Sequence, residues 1–447
     1  RMLKILFCGK WPPIQGGVCR ESYEFVLSAL ADGAHVTVVT NANAVETNFR
    51  MTLFHPEDQS WLHLHQFHDR FKLINVPAVA PTSHIPGATP FLSSCLGAVD
   101  LVVRREQPDA IVGSYFEPYG LAAALVGRIH SLPTFVRHAG SDLGRLAAVA
   151  ELQNAYRLAF TSNRLLKLLT YDSPRTNELL QQLGIANEQM IFLNPRSFDI
   201  PRYHHDGLMD VSQVLTKASG WLANLGLPGE LLNSVLELNG KPFAATAPII
   251  GIFGKSGTQK GTYDLARALA QLAVDGVEFS FLPMCSGEVG ALAELYRIIT
   301  ECPSLAERTH ILPPVALWHV PTYIRLCSLI AFLENRFSVD FHSPGVPWQV
   351  IAEGIPLLLS GEQFTRIEVQ AQLVRNRNCL VVDDARQPDQ LQSTLRTGLE
   401  RLGSLTHGAS NLRNIFSARD RLLRRDAHHP MYAAVKAELA RTTTCAA

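Results

Sequence analysis

The sequence predicts an α/β protein of two doubly wound domains with a cleft between them. Three observations carry that expectation. The chain is long enough, at 447 residues with 47% hydrophobic content, to fill more than one core. Apolar bursts of four to eight residues alternate with helical spacing, as parallel sheets built from strand-helix-strand units require. That alternation occurs in two series, separated near residues 211–238 by helical spacing with no strand burst.

The first series offers LKILFCG, HVTVVT, DAIVGS, TFVRHAG, LLKLLTYD and MIFLN as strands. Between the first two, Val18, Ser22, Phe25, Val26, Ala29 and Leu30 recur at helical spacing, and Gly33 stands near the stop. The N-terminal apolar run is broken by Lys4 and Lys10 and has no small-residue cleavage site, so it reads as the first strand. The second series offers IIGIFG, VEFSFLPMC, THILPPV, LIAFLE, IPLLLS and CLVVDD. The expected division is residues 1–204 for the first domain, 205–246 for a helical linker or insertion, 247–415 for the second domain, and 416–447 for terminal helices that can return to the first.

Lys plus Arg equals Asp plus Glu, at 40 each, which leaves no basic excess for a nucleic-acid backbone. Eight scattered cysteines lack the close pairs of zinc or redox motifs and several sit in apolar runs, so they read as free thiols of a reducing cytoplasm. No stretch reaches the eighteen or so apolar residues that span a bilayer.

Ligands of open α/β sheets bind beyond the carboxyl ends of strands, so the turns there are the stretches to read for chemistry. GKWPPIQGGV follows the first strand, and Gly16 and Gly17 let the backbone approach a substrate closely. The three-glycine spacing of a dinucleotide fingerprint is absent, and an ordinary glycine turn is the competing reading. FGKSGTQKG follows IIGIFG in the same topological place. There Gly254 permits a turn, Lys255 and Lys260 supply cations, and the helix beginning near Thr262 adds a positive N-terminus. A P-loop would need a glycine five residues ahead of its Gly-Lys-Ser/Thr ending; Gly254-Lys255-Ser256 has Ile249 there, and at Lys260 the lysine precedes Gly261. A solvated lysine pair is the competing reading. In HSPGVPWQVIAEGIPLLLS, Ser343 and Gly345 form a turn, Pro347 suits a helix start and Gly354 closes the helix, so the amides of Gly345 and Val346 face any anion in the cleft.

In order and spacing these stretches resemble the retaining GT-B glycosyltransferases, the large nucleotide-sugar-dependent group 1, family 4-like enzymes, over residues 3 to about 360. The resemblance rests on Gly16-Gly17, on His138 in RHAGSD, on Gly254-Lys255 with Lys260-Gly261, and on Ala352-Glu353-Gly354-Ile355-Pro356. It implies the GT-B fold, two Rossmann-like domains facing each other across a cleft. It implies transfer of a sugar from a nucleoside-diphosphate sugar, with retention, to a glycan, a lipid-linked glycan or a small molecule. Lys255 and Lys260 would hold the donor diphosphate, with Lys255 keeping the charge of the family's arginine and losing its planar fork. His138 would lie under the transferred sugar. The family's two glutamates, eight residues apart, fall on Phe341 and Gln349. Gln349 can still bond a ribose diol, and Asp340 or His342 would take the sugar contact that Phe341 cannot make.

No cofactor or metal is expected, because lysines and helix N-termini can neutralise the leaving diphosphate. Glu334 or Arg336 in LENRF could reach the nucleotide. On the acceptor side the candidates are Glu117 and Tyr119 in SYFEPYG, with Arg137 and Asp142 flanking His138; an Arg137–Asp142 ion pair explains the last two equally well. His63, His65 and His68, with Trp61, Phe67 and Phe71, read as a mobile acceptor or interface loop rather than a metal site. Peripheral contact with the inner membrane surface and a homodimer stay open. The competing functions are a sugar-nucleotide epimerase or hydrolase on the same fold, and a catalytically silent sugar-nucleotide or glycan-binding protein.

Overall fold

The computed structural model describes residues 2–77, 91–193, 208–243, 246–339, 341, 344–367, 369–422 and 428–445. Seven strands form the first sheet: β1 (Lys4–Cys8), β2 (His35–Thr40), β3 (Phe71–Asn75), β4 (Ala110–Ser114), β5 (Thr134–Arg137), β6 (Leu166–Thr170) and β7 (Met190–Phe192). Five form the second: β8 (Ile249–Lys255), β9 (Ser280–Ser286), β10 (Leu329–Phe332), β11 (Leu357–Ser360) and β12 (Leu380–Val382). Every pairing is parallel, in the orders β3-β2-β1-β4-β5-β6-β7 and β12-β11-β10-β8-β9. Parallel strands are covered on both faces, so they need continuous apolar runs, and β4, β10 and β11 are buried at every residue. Strand order reverses between β1 and β4 and between β8 and β10, the two places where such sheets open a crevice.

Two expectations about strands change. Phe71, expected in a loop, opens β3. This edge strand is only half-buried and carries an exposed lysine, Lys72, which blunts the edge and weakens the apolar signal. The aromatic side chains near it turn inward: Trp61 stacks on Trp318 and Phe71 on Trp11. THILPPV runs beside β9, with Phe281 N donating to Arg308 O and Leu312 N to Pro283 O, yet forms no strand. Pro283 has no N–H to complete the ladder.

The helices Val211–Ala223 and Gly229–Asn239 bury Val214, Leu222, Val235 and Leu238 against the cores of the second sheet. The helix Pro430–Cys445 lies on Gly17–Ala31, where Tyr432 Oη and Lys436 Nζ both donate to Asp32. On one side the two domains share a core, since Trp318 and Leu317 are buried in one cluster with Trp11, Tyr23 and Val38. At its edge the fully buried Asp58 accepts from Trp318 Nε1 and His319 Nε2, each at 2.7 Å, and from the amides of Phe54 and His55. Burial alone would raise this carboxyl's pKa; the His319 and Trp318 hydrogen bonds outweigh it and hold the group below the usual carboxylate range. Among the described residues, no helix is long and apolar enough to cross a membrane.

Candidate active site

Loops from the carboxyl ends of both sheets meet in the cleft. On the second domain, β8 ends at Gly254 and Lys255, and the turn that follows folds onto itself. Gly257 N donates to Thr262 Oγ1 at 2.9 Å, and Lys260 N to Gly257 O at 3.0 Å. Gly261 has φ +69°, and a Cβ there would lie 2.5 Å from Leu333 Cβ and 2.7 Å from Leu333 O. Only glycine lets the turn press against the end of β10. That contact sets Lys260 at the crevice between β8 and β10, where its ammonium pairs with Glu334 and lies 4.5 Å from the Phe337 ring centroid. Glu334 is 1% exposed; burial raises its pKa and Lys260 offsets part of that rise. Lys255 Nζ sits 4.2 Å from the ring centroid of Phe49, a residue of the first domain. Desolvation lowers the Lys255 pKa, Glu46 counteracts, and Lys10 and Lys260 lower it further, so these charges share one field.

The helix Gly345–Glu353 begins with Pro344 as cap and ends at Gly354 in the left-handed conformation. Pro347 falls in its first turn rather than at its first residue, and Gln349 is half-buried. Asp340, His342 and Ser343 lie outside the described residues. Phe341 packs against the first-domain apolar cluster that includes Phe116 and Leu143, and a Cβ on Gly144 would come within 3.0 Å of Val339 and 3.3 Å of Phe341. Arg145 also donates to Ser338 Oγ, at 2.6 Å and 3.2 Å. The residues after β10 therefore reach across to the helix Gly140–Gly144.

On the first domain, Gly16 has φ +129° and caps the helix that Gly17 opens, and a Cβ on either glycine meets nothing within 4 Å. His138, after β5, is 6% exposed. Its Nε2 lies 2.9 Å from Thr170 Oγ1 and its Nδ1 3.4 Å from Ala139 O. Burial, and after it the Arg137 guanidinium, push its pKa down to about 3. The ring is neutral at pH 7, and both of its nitrogens are engaged by protein partners.

The acceptor-side candidates divide. Tyr119 is 1% exposed, and its hydroxyl is spent on Asn41 in the core, so it faces no acceptor. Glu117 is half-buried and accepts from Tyr156 Oη at 3.0 Å. The Arg137–Asp142 ion pair is not formed. Asp142 is fully buried and accepts from the amides of Phe116, Ala139 and Leu143, a local cap that positions His138, while burial pushes its pKa up to about 7. Arg137 instead pairs with Glu21 at 3.6 Å and donates to His138 O. Arg336 N donates to Glu362 Oε2. Among the described residues, no group of His, Cys, Asp or Glu is arranged to hold a metal ion.

Sequence reasoning missed Lys10, Glu46, Phe49, Tyr115, Phe337 and Arg145. Lys10 had a usable signal, its place at the carboxyl end of a switch-point strand. Tyr115 and Phe337 lie inside SYFEPYG and LENRF, read for other residues, while Glu46, Phe49 and Arg145 lie in turns with no pattern.

The His138 environment has a consequence for stability. Its folded-state pKa of about 3 lies below the ordinary 6.5. Between those values the unfolded chain binds the proton and the folded chain does not, so stability rises with pH across that window and is lost as pH falls. The loss is roughly 1.4 kcal/mol per pH unit below 6.5. Asp142, with its raised pKa, contributes with the opposite sign between 3.8 and about 7. Denaturant unfolding of the wild type and His138→Asn at pH 7, 6 and 5 isolates the histidine: the variant's disadvantage at pH 7 is expected to shrink as pH falls. A constant difference would show that His138 titrates normally.

No protein-family model matches the chain, and neither does any curated protein sequence. Solved structures do. HepE of Anabaena in complex with UDP-glucose is similar at 16% identity with a TM-score of 0.56, over 99% of this chain and 100% of that one. Sucrose-phosphate synthase from Thermosynechococcus elongatus is similar at 15% identity with a TM-score of 0.58, over the whole of both chains. A glycosyltransferase from Rickettsia africae is similar at 11% identity with a TM-score of 0.53, over 95% of this chain and 98% of that one. The chain has the GT-B fold, two Rossmann-like domains facing each other across a cleft.

Proposed function

We propose that the chain is a glycosyltransferase that moves a sugar from a nucleoside-diphosphate sugar to an acceptor, with retention and without a metal. The observation that carries this reading is the gathering of Lys255 and Lys260 at the carboxyl end of β8, beside the reversal of strand order, with the Gly16-Gly17 turn on the opposite wall. In this reading residues 247–415 hold the nucleotide and residues 1–204 the acceptor, joined by residues 205–246 and braced by 416–447. The two lysines and the amides of Gly345 and Val346 neutralise the diphosphate as it leaves, with Gly254 shaping the turn. Gln349 or Glu334 meets the ribose, and His138, Asp340 and His342 are the groups about the sugar. The acceptor is a glycan, a lipid-linked glycan or a small molecule of cytoplasmic carbohydrate biosynthesis. The Anabaena complex supports UDP-glucose as the first donor to test.

Thermal-shift titration with uridine, guanosine and adenosine diphosphate sugars, followed by acceptor screening in EDTA, tests it. One donor is expected to raise the melting temperature, since saturation at 100 times Kd adds about 2.7 kcal/mol. That donor is then consumed only with acceptor, and the product keeps the anomeric configuration. Turnover without acceptor would point to an epimerase or hydrolase; binding with no turnover would point to a silent sugar-nucleotide-binding protein.

A further inference from the structure

We propose that Lys10 is a third cationic ligand of the donor diphosphate, and that Glu46 occupies it until the nucleotide arrives. This rests on the diphosphate reading of Lys255 and Lys260. Lys10 stands just past β1, at the head of the turn that runs on to Gly16 and Gly17. Its ammonium pairs with Glu46 and lies 4.7 Å from the Tyr115 ring centroid, with the two charged side chains 19% and 24% exposed. An ammonium has three donor hydrogens, and one carboxylate oxygen does not exhaust them.

The loop that carries Glu46 connects this pair to the second domain. Phe49 N donates to Glu46 O at 2.9 Å, and Gln15 N, next to Gly16, donates to Phe49 O at 2.8 Å. The Phe49 ring lies under Lys255, and Asn48 Nδ2 donates to Glu288 Oε2 at 2.7 Å, just past β9. One short loop thus holds Lys10, Glu46 and Lys255 in one patch of the cleft. Lys10, Lys255 and Lys260 share this patch with the carboxylates Glu46 and Glu334; Arg50 also acts on Glu46, and Glu362 and Arg366 act on Glu334. Glu334 is buried at the base of the crevice. Glu46 is on a surface loop with a positive φ of 54°, unusual for a residue other than glycine, and is the carboxylate placed to yield. A diphosphate entering between the walls replaces the Glu46 carboxylate as the partner of Lys10, so the resting ion pair competes with donor binding.

Lys10→Met and Glu46→Gln break the same ion pair, and the proposal assigns them opposite effects. Calorimetric titration with uridine, guanosine and adenosine diphosphate compares the wild type, these two variants, Lys10→Arg and Lys260→Ala. For the nucleotide that the wild type binds, Lys10→Met is expected to weaken binding about tenfold, Lys10→Arg to restore most of it, and Glu46→Gln to tighten it severalfold. A purely structural pair would move both variants the same way or neither, and that result overturns the proposal while Lys260→Ala still loses binding. If the wild type binds none of the three, or Lys260→Ala binds as well as the wild type, the diphosphate reading itself falls, and this proposal with it.

Discussion

Replacing Lys260 by alanine is expected to abolish nucleoside-diphosphate binding, removing the melting-temperature shift that the wild type shows with its donor. The lysine is placed by a chain of constraints that nothing else in the loop duplicates. Gly261 is forced against Leu333, the Thr262 hydroxyl closes the turn through Gly257, and the ammonium is left at the crevice between β8 and β10. A charge-assisted contact to an anion in such a site is worth about 1.5–3 kcal/mol, and the buried Glu334 carboxylate makes the loss larger. Without Lys260 that carboxylate faces the diphosphate as a repelling neighbour. The double variant Lys260→Ala with Glu334→Gln separates the two effects, since it should recover part of the binding while the single variant recovers none. Binding by the single variant equal to the wild type would remove Lys260 from the donor site.

Replacing Asp58 by alanine is expected to cost roughly 3–5 kcal/mol of stability, the usual penalty for removing one partner of a buried hydrogen-bonded charge. The carboxylate takes two side-chain donors from the second domain and two backbone donors from its own. Its loss strands Trp318 Nε1 inside the buried aromatic cluster, at about 1–3 kcal/mol unsatisfied, and frees the half-buried Phe54 amide. The effect should exceed that of removing an exposed pair such as Arg175 and Glu178, worth at most about 1 kcal/mol. Denaturant unfolding of Asp58→Ala beside Glu178→Ala reads both. Equal, small losses would mean that the shared core holds the domains without this carboxylate.

The two sheets were legible because parallel strands buried on both faces write themselves as unbroken apolar runs, as in AIVGS and LIAF. β3 was not, since an edge strand with Lys72 on it writes a mixed signal. The strand expected at THILPPV failed for a reason in another element, the missing N–H of Pro283. Lys255 and Lys260, the proposed donor ligands, were legible as residues of the carboxyl end of β8 and the turn that follows it. Tyr119 was misjudged because proximity to a strand end does not say which way a side chain turns, and its partner Asn41 belongs to a different loop. Asp142 looked like half of an ion pair, but three nearby amides outcompete Arg137. The Asp58 network joins residues 260 positions apart, and no local pattern announces such a pairing.

The most direct test is a crystal structure of the chain with the nucleoside diphosphate that stabilises it most. The account predicts phosphate oxygens within about 3 Å of Lys255 Nζ and Lys260 Nζ, as charge-assisted hydrogen bonds require, and close to the amides that open the helix Gly345–Glu353. A nucleotide bound elsewhere on the chain, with Lys255 still over Phe49 and Lys260 still on Glu334 and Phe337, would contradict it.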